Sequence, residues 1–77
     1  MRKTDFQQVL RQLKMNIAYY RKKAGHTQEQ FANMIFTSRT HLSQIEALGT
    51  NLKPSLELLF VIADALDIDF IKLFEEK

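Results

Sequence analysis

Four polar side chains between residues 39 and 44 have the chemistry to recognise base pairs: Arg39, Thr40, Ser43 and Gln44. An arginine can pair with O6 and N7 of guanine, a glutamine with N6 and N7 of adenine, and a threonine methyl can contact thymine. On a helix these four residues lie away from Leu42 and Ile45, which must face inward. Their face contains no acid, whereas a merely solvated helix face commonly carries Glu and Lys. The pattern favours a surface that reads DNA.

The same inventory argues against catalysis and metal binding. The chain has no cysteine and only two histidines, which stand apart at positions 26 and 41. It has no Gly-rich phosphate loop, no HExxH motif and no paired carboxylates in an obvious cleft. We therefore expect no enzyme activity, no metal site, no cofactor and no small-molecule ligand.

Apolar periodicity predicts the long helix on which such a surface would rest. One stripe of apolar residues recurs at steps of four and three: Phe6, Leu10, Leu13, Ile17 and Tyr20. This spacing predicts a helix from residue 4 or 5 to Ala24. Gly25 is a natural residue to end it, since glycine accepts a positive φ.

Two short helices separated by a turn are predicted next. Thr27 stands three residues before Gln30, the spacing of a capping box, and predicts a helix from Gln28 to about Ile35. Thr37 or Ser38 can cap a second helix that reaches residue 46 or 47. Each helix is too short to be stable alone, so both must pack on the rest of the domain. This arrangement is the helix-turn-helix, which places its second helix in a DNA major groove.

The last third of the chain predicts two more helices. Gly49 and Asn51 suit a loop, and Pro54 suits the first turn of the next helix, with Asn51 or Lys53 before it. The apolar face of that helix contains Leu56, Leu59, Phe60, Ile62, Ala63 and Leu66. A final helix, capped by Asp67 or Asp69, carries Phe70, Leu73 and Phe74. The expected fold is an all-α, compact five-helix bundle that forms one domain over residues 1–77.

Charge and hydropathy restrict the possible partners. The net charge is +2, but residues 1–53 carry nine Lys/Arg against three Asp/Glu, whereas residues 54–77 carry two against six. The first part could face a polyanion that would repel the second part. No apolar run approaches the roughly 18–20 residues that span a bilayer, and no secretion signal is recognisable at the start. We expect a cytoplasmic protein with no membrane partner.

Residues 27–46, "TQEQFANMIFTSRTHLSQIE", resemble the helix-turn-helix of the Cro/CI-type (XRE) repressor family. The family's opening glutamine, apolar-Ala pair and closing glutamate stand at Gln28, Phe31-Ala32 and Glu46. Downstream, "KPSLELLFVIADALDIDFIKLF" is similar to the family's closing pair of helices. The likeness covers about residues 13–74 and implies a lambda repressor-like DNA-binding domain. The "RTxxSxIE" context also resembles restriction–modification controller proteins.

The resemblance implies a role for several further residues. Gln28 and Ser38, at helix N-termini, would contact phosphates, where the helix dipole also favours an anion. Arg39, Thr40 and Gln44 match base-reading positions, with Ser43 a weaker candidate. Arg21 and Glu46 match a structural ion pair.

The chain also departs from the family pattern at several positions. Phe36 stands where the family usually has glycine, so we expect a reshaped turn or a Phe that covers the core. His26 replaces an apolar residue and is expected to pack partly buried. His41 could touch a phosphate or a base, or simply cover the edge of the bundle. The loop before Pro54 retains three phosphate candidates: Thr50, Asn51 and Lys53.

One short recognition helix reads only a few base pairs, so a homodimer on a palindromic site is expected. Leu58, Val61 and Ile71 are apolar where the family's closing helices often carry polar residues, which suggests a dimer interface. They could instead fill the chain's own core. The sequence thus predicts a dimeric transcriptional regulator of double-stranded DNA, autoregulatory like a controller protein or phage repressor. An antitoxin, or an adaptor that has lost its DNA contacts, is the alternative.

Overall fold

The computed structural model describes residues 5–76, which form four α-helices followed by one 3₁₀ helix. The α-helices are α1 (Phe6–Lys23), α2 (Gln28–Met34), α3 (Arg39–Glu46) and α4 (Leu56–Leu66), and the 3₁₀ helix is Phe70–Phe74. The all-α prediction is confirmed, but the fifth helix is of the 3₁₀ type. Its five residues are too few for a stable α-helix, and the tighter winding is common in such short segments.

The helix starts follow the capping residues closely. Thr27 and Gln30 form the complete capping box, in which the Thr27 hydroxyl accepts from the Gln30 N–H and the Gln30 side chain accepts from the Thr27 N–H. Ser38 caps α3 and Asp69 caps the 3₁₀ helix. The prediction that Pro54 lies in the first turn of this helix, with Asn51 or Lys53 before it, is wrong. Ser55 is the N-cap of α4, where its Oγ accepts from the Leu58 N–H at 3.1 Å, so Pro54 precedes the helix.

One core is shared by all the helices. Its buried apolar residues are Leu10, Leu13, Ile17, Phe31, Ala32, Ile35, Leu42, Ile45, Leu59, Ile62, Ala63, Leu66 and Leu73. Three residues expected on apolar faces are instead more than half exposed, namely Phe6, Leu56 and Phe60. The last two lie at the edge of the α4 face formed by Leu59 and its neighbours one turn along. Within residues 5–76, no helix has the length and apolarity to cross a membrane.

A buried asparagine joins the 3₁₀ helix to α1. Asn16 is fully buried, and its Nδ2 donates to the carbonyl oxygens of Leu73 at 2.9 Å and Glu75 at 2.6 Å. Its Oδ1 accepts from Gln12 Nε2 at 2.9 Å. Because the amide finds partners on both of its ends, burying it is tolerated and fixes the chain end against α1.

Candidate nucleic-acid interface

The side chains predicted to read bases project together from α3. Arg39, Thr40, Ser43 and Gln44 are all exposed, while Leu42 and Ile45 are completely buried in the core. None of these four side chains forms a hydrogen bond or ion pair with any other described residue. We call these four residues the outer face of α3. Its donors and acceptors are available to a partner.

The N-terminus of α3 carries two further polar groups. Ser38 Oγ accepts from the His41 N–H at 3.0 Å, so the Ser38 hydroxyl proton remains available to an acceptor such as a phosphate oxygen. His41 Nδ1 lies 2.6 Å from Thr37 Oγ1. When Nδ1 accepts the Thr37 proton, Nε2 carries the ring hydrogen, which can donate outward.

The turn between α2 and α3 retains a left-handed residue although that residue is phenylalanine. Phe36 has φ 61° and its side chain is 90% exposed. The prediction of a reshaped turn or a core-covering Phe is therefore wrong. The Thr37 N–H bonds the Ala32 carbonyl at 2.9 Å, and the Phe36 N–H bonds the Asn33 carbonyl at 3.3 Å. These two bonds form a Schellman motif, which satisfies the last carbonyls of α2 only with this residue in the left-handed region.

Arg21, Glu46 and the half-buried Gln28 form one polar network. Arg21 Nε and Nη2 donate to the two carboxylate oxygens of Glu46 at 2.7 and 3.0 Å, and both side chains are less than a tenth exposed. Arg21 Nη1 also donates to the His26 carbonyl at 2.8 Å. Gln28 Nε2 donates to Glu46 Oε1 at 3.1 Å. The half-buried His26 ring stacks on Phe31, with 6.1 Å between centroids.

The network reduces the repulsion that Glu46 would exert on an anion near the end of α3. The Glu46 carboxylate receives three N–H donors, so its charge is largely compensated by Arg21. The network also joins α1, α2 and the last residue of α3. Gln28 begins α2, and its amide retains a second N–H that can donate to a phosphate.

A buried lysine that sequence reasoning missed holds the other side of the α3 C-terminus. Lys14 is 1% exposed, and its Nζ donates to the carbonyl oxygens of Gln44 and Ile45, each at 3.0 Å, and to Thr50 Oγ1 at 3.3 Å. Burial lowers the pKa of Lys14 below its ordinary value of 10.5. A signal was present in the sequence, because Lys14 lies four residues after Leu10 and three before Ile17, on the buried stripe.

The loop after α3 contains the three remaining phosphate candidates. Thr50 Oγ1 donates to the Gln44 carbonyl at 2.9 Å while accepting from Lys14, so its hydroxyl proton is already in use. A phosphate contact from Thr50 would then depend on its backbone N–H. Asn51 and Lys53 are exposed, and Lys53 Nζ lies 3.4 Å from the Asn51 carbonyl and 6.0 Å from the centre of the Phe6 ring.

The apolar residues predicted for a dimer interface differ in exposure. Leu58 and Val61 are half-buried against the core and line a shallow groove of about 370 Å³ beside Phe36. Ile71 is 63% exposed. The structure adds further exposed apolar residues on the same two helices: Leu56, Phe60 and Phe74.

Comparison with known proteins agrees with this geometry. The profile of a helix-turn-helix family, HTH_3, matches residues 17–73. No curated protein sequence matches the chain significantly.

Solved structures of regulators superpose on most of the chain. The restriction–modification controller protein C.AhdI from Aeromonas hydrophila has a TM-score of 0.74 at 28% identity, covering 84% of this chain and 96% of that one. A point mutant of the controller protein C.Esp1396I has a TM-score of 0.73 at 28% identity, covering 94% and 86%. The biofilm regulator SinR, solved in complex with DNA, has a TM-score of 0.73 at 25% identity, covering 82% and 98%. From the profile match, which spans most of its length, the chain belongs to the HTH_3 (XRE-type) helix-turn-helix family.

Proposed function

We propose that this protein is a sequence-specific, DNA-binding transcriptional regulator that inserts α3 into the major groove. The observation that carries the proposal is the outer face of α3, whose four polar side chains are exposed, acid-free and without partners among the described residues. Arg39 would read guanine and Gln44 adenine, with Thr40 and Ser43 contacting neighbouring base edges or a thymine methyl. The solved relatives that are regulators support this reading.

Phosphate contacts would surround this face. Gln28 and Ser38 stand at the N-termini of α2 and α3, where main-chain N–H groups and the helix dipole favour an anion. His41 would add its Nε2, and the loop would add Asn51, Lys53 and the Thr50 backbone. Contacts of this kind fix the register on the duplex but carry no sequence information.

We further propose that the protein acts as a homodimer on a short inverted repeat. Recognition through one short helix gives too little discrimination for a single genomic site, and two-fold symmetry doubles it. The dimer surface that we favour contains four exposed apolar residues of α4 and the 3₁₀ helix: Leu56, Phe60, Ile71 and Phe74. The Phe60 ring stacks on the Phe70 ring at 4.3 Å, and the Phe70 ring lies 5.4 Å from the Phe74 ring, so aromatic contacts connect α4 with the 3₁₀ helix. Leu58 and Val61 would contribute less contact area, because both already pack partly buried on the core.

Charge distribution supports the same orientation. The acidic part of the chain, residues 54–77, contains this apolar surface, whereas the basic part contains α2 and α3. A second copy can therefore pack on the acidic part without approaching the phosphates. Autoregulation of the kind associated with controller proteins, in the cytoplasm, is the biology that we propose.

A salt titration of duplex binding tests the proposed DNA interaction. Fluorescence anisotropy with a labelled duplex should give an affinity that falls linearly with salt on a log–log plot, because bound phosphates release counterions. Gln28→Ala should weaken all sequences alike, because it removes a phosphate contact, and should leave the slope nearly unchanged, since a neutral amide displaces no counterion. An adaptor that has lost its DNA contacts would show neither measurable affinity nor a slope.

Sedimentation analysis tests the dimer surface. Ile71→Asp and Phe60→Asp should each shift the protein toward monomer, since they place a charge in an apolar contact. Leu48→Asp is the matched control, because Leu48 is 45% exposed in the loop after α3. A dimer that survives both α4 and 3₁₀-helix variants would place the interface elsewhere.

A further inference from the structure

We propose that Lys14 is a positioning residue for base reading: it contacts no DNA, yet it fixes the end of α3 from which Gln44 projects. This inference rests on the proposed function of the outer face of α3. It assigns to α1, which contains none of the proposed base-reading residues, a part in sequence discrimination.

The contacts of Lys14 match an ammonium group in number. An ammonium has three N–H donors, and Nζ has three acceptors at 3.0, 3.0 and 3.3 Å: the carbonyls of Gln44 and Ile45 and the hydroxyl of Thr50. A neutral amine could satisfy only two of them. The acceptors include two carbonyls of the last turn of α3, where the helix dipole favours a cation.

The end of α3 differs from the ends of the other α-helices. In α1, α2 and α4 the chain turns back at a left-handed residue, so that backbone N–H groups reach the last carbonyls. The sequence after α3 instead leaves in an extended conformation at Ala47, with φ −75° and ψ 127°. Lys14 and Thr50 provide the donors that a backbone turn provides elsewhere.

The use of side-chain donors in place of backbone N–H groups matters because one of the two carbonyls belongs to Gln44. The Gln44 carbonyl accepts from both Lys14 Nζ and Thr50 Oγ1, at 3.0 and 2.9 Å. The backbone from which the Gln44 side chain extends is thus held from α1 and from the loop. Arg39 stands at the opposite end of α3, five residues earlier, and makes no contact with this anchor.

A purely stabilising role would not require a lysine. Burying an ammonium away from water carries a desolvation cost, and a well-packed apolar side chain of similar volume is often as stable or more stable at such a site. No carboxylate within residues 5–76 forms an ion pair with Lys14 to offset that cost. Retaining the cation is understandable if the geometry of the α3 end is what it secures.

The test compares Lys14→Met with Asn16→Leu. Both variants replace a buried polar side chain of α1 by an apolar one, but Asn16 contacts the 3₁₀ helix region rather than α3. Binding is measured on the best duplex selected by the wild type and on duplexes with single base-pair changes. Base pairs read by Gln44 are identified with Gln44→Ala, and those read by Arg39 with Arg39→Ala.

We expect Lys14→Met to reduce discrimination about tenfold at the Gln44 base pairs, within the range of one bidentate contact, and to leave the Arg39 base pairs within about twofold. In a Gln44→Ala background it should have no further effect on discrimination. Asn16→Leu should leave both discrimination ratios unchanged. If Lys14→Met does not fold, Thr50→Val removes one acceptor of the anchor and should give the same pattern more weakly.

Two results would overturn the inference. A uniform loss of affinity across all duplexes would assign Lys14 to stability alone, as would unchanged discrimination at the Gln44 base pairs. Amide exchange in the free protein separates this failure from failure of the proposed function. The last turn of α3 should exchange faster in Lys14→Met than in Asn16→Leu, whether or not the wild type selects any DNA sequence.

Discussion

The two ends of α3 are built in opposite ways. At its N-terminus, the exposed Ser38 caps the helix and the exposed Arg39 begins it, after a turn whose Phe36 side chain points into solvent. At its C-terminus, the backbone carbonyls and the Glu46 side chain are enclosed by polar groups from α1. One end offers its groups to a partner, and the other is fixed to the domain.

This difference shows how an eight-residue helix can serve as a rigid reading element. A helix of that length is marginal in water, so its geometry must come from packing. Lys14 and Arg21 are seven residues apart and therefore lie on the same side of α1, along with Leu10 and Ile17. That side of α1 holds the α3 end by apolar contact and by hydrogen bonds together.

The largest effect on stability is expected from removing the hydrogen bonds that fix the C-terminal end of α3. Arg21→Met would leave the buried Glu46 carboxylate with only the neutral donor Gln28, and should cost about 3–5 kcal/mol of unfolding free energy. Urea denaturation measures it. The control is Lys72→Met, whose partner Glu75 lies 3.9 Å away in an exposed pair and which should cost less than about 1 kcal/mol. Equal costs for the two variants would contradict a structural role for the Arg21 pair.

Substitutions at the exposed N-terminal end of α3 should change DNA binding and not stability. Arg39→Ala should lose about 1–3 kcal/mol of discrimination at its own base pair and leave the urea midpoint unchanged. Arg11→Ala, which removes the same charge from an exposed position on α1, is the control for net charge. A loss of equal size for both variants on every duplex would mean that Arg39 acts only through its charge.

A substitution in the turn before α3 should change the unfolding free energy by less, and in the opposite direction. Phe36→Gly should raise the unfolding free energy by about 1 kcal/mol, because glycine adopts φ 61° without the side-chain strain. Asp67, with φ 55° after α4, is the matched position. Asp67→Gly should gain less, since aspartate tolerates this conformation better than phenylalanine. A destabilised Phe36→Gly variant would show that the exposed ring contributes to folding.

The smallest expected effect is a pH dependence from Lys14. Burial lowers the pKa of Lys14 below 10.5, so between the two values the unfolded chain binds more protons than the folded protein. The contribution of Lys14 to stability should therefore rise as the pH rises through that window. Urea denaturation of the wild type and of Lys14→Met at several alkaline pH values separates the Lys14 contribution from that of other titrating groups. A wild-type advantage that falls toward pH 10.5 would contradict the sign.

Much of the fold and the exposed end of α3 could be predicted from the sequence because both depend on local rules. Apolar spacing located the helices, Thr27 and Ser38 marked their starts, and the side opposite Leu42 gave the outer face of α3. The fixed end could not be predicted fully. Lys14 and Asn16 are polar residues that usually remain in water, and their burial depends on acceptors 30 or more residues away. The conformation of Phe36 likewise depends on hydrogen bonds that outweigh its own preference.

Selection of bound duplexes from random DNA tests the central claim most directly. If the outer face of α3 reads base pairs, the wild type should enrich a short inverted repeat, and Arg39→Ala and Gln44→Ala should each relax a different position within each half-site. Enrichment of no sequence by the folded wild type, or of one unchanged sequence by both variants, would contradict it.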